Sequence, residues 1–181
     1  MKFFKSAILL SLIFAFSIAV AQEHVRNAKW GMNKQEVKSS ETTKLLREQS
    51  NTLMYQDNFD GIPMYIQYVF PPSKDKLAQV RYYSAEEYTD QTKYIDDYKK
   101  VKTQLTDQYG KPARDTLMWK NDQLQGQKDK YGQAIANGDL SYLTQWVTSA
   151  TNIRSQLWGD DKGKVQMAIQ YTSKKYQSFL R

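Results

Sequence analysis

Acid–base, nucleophilic or metal chemistry in this chain would have to be built from one histidine, no cysteine and a few paired carboxylates. His24 lies close to the start, where a backbone is rarely held, and a general base must be held within hydrogen-bond reach of its proton. A His-based triad or multi-His metal centre is therefore not expected. The lack of cysteine excludes thiol catalysis, disulfide exchange and Cys–zinc sites. The phosphate-cradling patterns G-x-x-x-x-G-K and G-x-G-x-x-G do not occur, nor does the nucleophile elbow G-x-S-x-G.

Three carboxylate pairs remain for acid–base hydrolysis: Glu86 with Glu87, Asp96 with Asp97, and Asp160 with Asp161. Each has a structural reading that competes with the catalytic one. Glu86 and Glu87 suit a first helical turn, where the helix dipole favours negative charge. Asp96 and Asp97 can pair with Lys99 and Lys100, and Asp160 with Asp161 suits a hairpin turn. No apolar pocket is written nearby to raise a carboxyl pKa. Asp57, Asn58 and Asp60 lack the spacing of an EF-hand loop and read as turn residues. The expectation is a protein with no catalytic site, metal or cofactor; a carboxylate-dependent hydrolase is the outlying alternative.

Aromatic content is the unusual feature, with 13 Tyr and 4 Trp. These side chains offer rigid apolar faces with polar tips, which suit recognition of proteins or glycans. Alternation along a strand puts Tyr142, Thr144, Trp146 and Thr148 on one face; Arg154, Gln156 and Trp158 share a face of the next strand, and Gln166, Ala168 and Gln170 one of the last. If these faces align, Tyr142, Trp146, Arg154, Gln156, Trp158, Gln166 and Gln170 form one binding platform. A protein-interaction module is the first reading. A glycan or small apolar ligand domain is the alternative.

The elements that must position these residues follow from local signals. Asn33 and Glu36 form a capping box, flanked by Met32 and Val37 at the staple positions, which predicts a helix over Lys34–Leu46. Strands are predicted over Leu53–Gln56, Ile62–Phe70 and Leu77–Ser84, with turns at 57–61 and 71–73. Ser84 with Glu87 reads as a second capping box, with Tyr83 and Tyr88 as its staple. Tyr94, Tyr98, Val101, Leu105 and Tyr109 recur as a helical stripe that Gly110 and Pro112 terminate. Then come a strand over Thr116–Lys120, a short helix over Tyr131–Ala136, and strands over Tyr142–Ser149, Thr151–Trp158 and Lys164–Thr172. Lys174–Arg181 reads as a basic tail or a last helical turn. The order predicts an α+β fold: an antiparallel sheet with helices on one face, in two tandem helix-plus-meander halves, about 22–84 and 85–181.

Lys2 and Lys5, the apolar run to Val20 and the small-x-small site Ala19-Val20-Ala21 read as a secretory signal peptide over residues 1–21. Cleavage after Ala21 leaves 24 basic against 19 acidic residues, a net +5. Bases and acids are interleaved, which argues against a nucleic-acid partner. The mature chain is expected in the periplasm or outside the cell with no stable membrane anchor, meeting another envelope or extracellular protein.

The stretch Trp30-Gly31-Met32-Asn33-Lys34-Gln35-Glu36-Val37 resembles the WGMS-K-E-E-V opening of uncharacterised secreted bacterial proteins. More distantly it resembles the GMT-x-x-x-V helix of SmpA/OmlA (BamE-like) envelope-assembly proteins. Tyr109-Gly110-Lys111-Pro112 with Trp119 is similar to the L-G-x-P…W stretch of the same group, whose architecture is shared by β-lactamase inhibitory protein with its two tandem repeats. The resemblance implies protein binding and no catalysis. This chain lacks the lipidated cysteine of the envelope lipoproteins.

Overall fold

The computed structural model describes residues 24–180. The leader and cleavage site predicted from the sequence, and Arg181, lie outside the described residues. A short ribbon of β1 (His24–Val25) and β2 (Ala28–Lys29) leads into α1 (Lys34–Ser40). Four strands follow: β3 (Leu45–Gln49), β4 (Thr52–Phe59), β5 (Ile62–Val69) and β6 (Gln79–Ser84). Helix α2 (Thr92–Tyr109) opens a second cycle of β7 (Arg114–Trp119), α3 (Tyr131–Ala136), β8 (Leu140–Val147), β9 (Thr151–Gly159) and β10 (Val165–Ser173). A 3-10 turn at Gln177–Phe179 follows.

Strands β3 to β10 form one eight-stranded antiparallel sheet in the order β3-β4-β5-β6-β10-β9-β8-β7. The fold is α+β, as the element order predicts. Each half carries a helix and four strands, with α3 set between the first and second strands of the second half, and the two halves join through their last strands, with Gln170 opposite Arg81 and Ala168 opposite Tyr83.

The helices cover one face. Of the stripe, Tyr94, Tyr98, Val101 and Leu105 of α2 are buried over β9 and β10, Ile95 is buried beside them, and Tyr109 is half-buried at the end of the helix. Helix α3 lies over β8 and β9. Val37 of α1 joins the same core as Tyr68, Tyr82, Trp146, Leu157 and Ile169. Burying side chains of this size contributes about 1.5–3 kcal/mol each, which is what holds the layers together without disulfides.

Local differences from expectation have identifiable causes. The Asn33–Glu36 capping box is present in full, with Asn33 Oδ1 accepting from Glu36 N at 2.9 Å and Glu36 Oε2 from Asn33 N at 2.7 Å. Helix α1 nevertheless stops at Ser40, because Glu41 turns extended and its side chain meets Arg26 and Tyr68; residues 45–49, read partly as helix, pair as an edge strand with β4. The turn after β4 is shorter than expected. Asp60 and Gly61 take φ of 51° and 79°, so Asp57 and Asn58 stay in the strand. Ser84 does not cap a helix, since it is engaged in β6 opposite Met64. Helix α2 starts eight residues later, where Asp90 Oδ1 accepts from Thr92 N at 2.9 Å. His24, expected in a loose terminus, is an exposed strand residue paired with Lys29.

Candidate interaction surface

The sheet face away from the helices is a candidate site, and strand register decides what stands on it. On β9 and β10 the expected alignment holds. Gln156 lies opposite Ala168, Trp158 opposite Gln166, and Arg154 opposite Gln170, all on the open face. On β8 it fails. Trp146 pairs with Ile153, Thr144 with Ser155 and Tyr142 with Leu157, so these residues point to the helix side.

Trp146 and Tyr142 are thus corrected from the open face to the helix side, Trp146 buried and Tyr142 half-buried. Trp146 is 1% exposed and donates from Nε1 to the Gly110 carbonyl at 3.1 Å, closing the C-terminal end of α2. Tyr142 stacks edge-on against Tyr98, with ring centroids 5.3 Å apart, and burial pushes its phenol up to about 12. The Tyr98 hydroxyl lies 2.7 Å from Thr144 Oγ1, which in turn donates to Asp115 Oδ1 at 3.0 Å. These groups anchor α2 to β7 and β8.

The open face carries side chains that a single-strand reading misses. Opposite residues in an antiparallel pair share a face, so the register defines a row across the whole sheet. In the first half it runs Arg47, Met54, Gln67, Arg81. In the second it continues Gln170, Arg154, Gln145, Arg114. The adjacent row places Tyr65 beside Tyr83 and Tyr83 beside Ala168. Arg81, Tyr83, Arg154 and Trp158 line a hollow of about 240 Å³. A larger depression of about 510 Å³ lies between Arg114, Arg154 and Gln170 and the terminal turn, where Asn152 Nδ2 donates to Gln177 Oε1 at 3.2 Å.

Hydrogen bonds order this surface. Gln79 accepts from Arg81 Nε and donates to Thr172 Oγ1 at 3.1 Å, and Gln170 donates to the same hydroxyl at 3.2 Å. Arg81 is therefore tied through Gln79 to Thr172 of β10.

The carboxylate pairs do not assemble into a catalytic arrangement among the described residues. Glu87 pairs with Lys164, Asp96 with Lys99 at 3.4 Å, and Asp97 accepts from the Tyr88 hydroxyl at 2.8 Å. Asp160 accepts from the backbone N–H groups of Lys162 and Lys164, each at 2.9 Å; these bonds hold its carboxyl below the usual range, as befits a turn residue. Asp57 and Asp60, considered for calcium, diverge to Arg26 at 2.8 Å and Lys100 at 3.7 Å. No cluster of His or acidic groups suited to a metal occurs among the described residues, and no described helix is long and apolar enough to cross a membrane.

No protein-family model, curated protein or solved structure matches the chain.

Proposed function

We propose that this protein is an exported, non-catalytic interaction module of the bacterial envelope or exterior, and that it binds another protein through the helix-free face of its sheet. The observation that carries the reading is the alignment of Arg154, Gln156, Trp158, Gln166 and Gln170 on that face. A sheet eight strands wide with one face left clear of its helices offers a broad surface of the kind protein interfaces use, and its Arg, Tyr and Trp are the residues that dominate interface energetics. The leader-like N-terminus supports export.

Capture from envelope extract tests the reading. Wild type and Trp158→Ala are immobilised side by side. The variant is expected to recover far less of a specific partner, while its circular dichroism stays unchanged. Equal recovery by both proteins would count against the surface.

The hollow between Tyr83 and Trp158 favours a second reading, a site for a glycan or small apolar ligand stacked on these rings. Quenching of Trp fluorescence by envelope glycans or lipids, lost in Trp158→Ala, is the outcome that reading requires.

A further inference from the structure

The sheet sorts its charges by face. The acidic strand residues Glu48, Asp57 and Asp115 stand opposite Leu53, Met64 and Thr144, on the helix side, and each has a cation beside it: Lys38, Arg26 and Lys102. The basic strand residues Arg47, Arg81, Arg114 and Arg154 all lie in the open row. None of these four forms an ion pair among the described residues, and no lysine occupies a position in the eight strands.

The spacing is regular. Adjacent strands lie about 4.8 Å apart, so Arg81, Arg154 and Arg114, each two strands from the next, recur roughly every 10 Å with a glutamine between them. The row gathers positive charge along one face of the sheet.

We propose that this row receives a line of carboxylates on an acidic face of a partner protein, each guanidinium taking an Asp or Glu side chain. This rests on the reading of the open face as an interaction platform. Arginine forks match planar carboxylates through paired bonds, which a lysine cannot do. A protein partner fits better than a polyanionic polymer or a lipid surface because arginine stands here with Tyr65, Tyr83 and Trp158 while lysine is missing, the compositional signature of protein interfaces. Among the described residues, the lysines lie on the helices, the loops and the N-terminal ribbon instead.

Poly-L-glutamate titrated into the full chain at physiological ionic strength tests the proposal, with Trp fluorescence and calorimetry as readouts. A triple variant, Arg81→Gln with Arg114→Gln and Arg154→Gln, is expected to bind about tenfold or more weakly. A control triple, Lys99→Gln with Lys120→Gln and Lys128→Gln, removes equal charge elsewhere and is expected to stay within about twofold. Replacing the same arginines by lysine keeps the charge and is expected to weaken binding too, because the fork is lost. Circular dichroism checks the fold of each variant.

Absence of binding by wild type overturns the proposal, as does equal weakening in the lysine control. Tighter arginine-dependent binding of dextran sulfate or phosphatidylglycerol vesicles than of polyglutamate overturns it in favour of a polyanion or lipid site. In the envelope capture, recovery abolished by Trp158→Ala yet intact in the arginine triple refutes the acidic partner alone. Recovery unaffected by either refutes the platform as well.

Discussion

Arg26 grips Glu41 with both edges of its fork, Nε donating to Oε1 at 3.1 Å and Nη2 to Oε2 at 3.0 Å, and the Glu41 side chain has no solvent exposure. The Tyr68 hydroxyl donates to the same carboxylate. Burial works against the Arg26 charge, but the field of Glu41 and the bond to it outweigh that penalty and raise the guanidinium pKa. The contact ties the ribbon turn, where Arg26 takes a φ of 57°, to the end of α1 and to β5. Arg26→Ala strands a buried carboxylate and is expected to destabilise the fold by about 3 kcal/mol or more in urea unfolding. Arg26→Met combined with Glu41→Leu removes both charges and is expected to cost less; a double variant as unstable as the single one would show that the lost pairing is not the cause.

Asp57 makes stability depend on acid. Its carboxyl is held below the usual range chiefly by the Asn58 backbone N–H at 2.8 Å, which outweighs the opposing desolvation, with the hydrogen bond and charge of Arg26 adding to it. A depressed folded pKa means that folding favours the ionised form. The stabilisation is complete above the unfolded value of about 4 and disappears as pH falls through the folded one. Thermal melts between neutral and acid pH are expected to show wild type above Asp57→Asn at neutral pH, with the two curves converging in acid. A constant gap across that range would contradict the linkage.

Gly159 is a packing constraint at the end of β9. A Cβ there would lie 2.0 Å from the Ile135 carbonyl oxygen and 3.0 Å from that of Ala136, so α3 approaches the strand more closely than any side chain allows. Both neighbours are backbone and cannot swing aside. Gly159→Ala is expected to cost roughly 1–3 kcal/mol by forcing α3 off the sheet, whereas Gly126→Ala, with open space around it, carries only the strain of its φ of 88°. Urea midpoints for the two variants provide the comparison, and an unchanged midpoint for Gly159→Ala would refute the close approach.

The capping of α1 by Asn33 and Glu36, the periodicity of the α2 stripe and its stop at Gly110 were legible because each is written within the helix or a few residues of it. The same local grammar misleads at Ser84 and Glu87. Their spacing satisfies a capping box, but Ser84 belongs to β6, whose pairing with β5 comes from residues about 20 positions away. Gly159 lies just beyond the strand predicted over Thr151–Trp158, and nothing nearby in sequence announces the Ile135 carbonyl against it.

Within each strand, alternation alone determined which residues stand together: Tyr142 with Trp146, Arg154 with Trp158, Gln166 with Gln170. Which of those sets faced the helices was settled only by register. An even number of residues, 148–151, separates the partners Val147 and Asn152, so even positions of β8 lie opposite odd positions of β9; residues 160–164 are odd in number, and β9 pairs even with even across to β10. That difference of parity sent Trp146 into the core and left Trp158 on the open face, since shifting a pairing by one residue turns every side chain over. The row of arginines is likewise a product of tertiary pairing, assembled from positions spread over 108 residues, from Arg47 to Arg154 inclusive, that no local pattern connects.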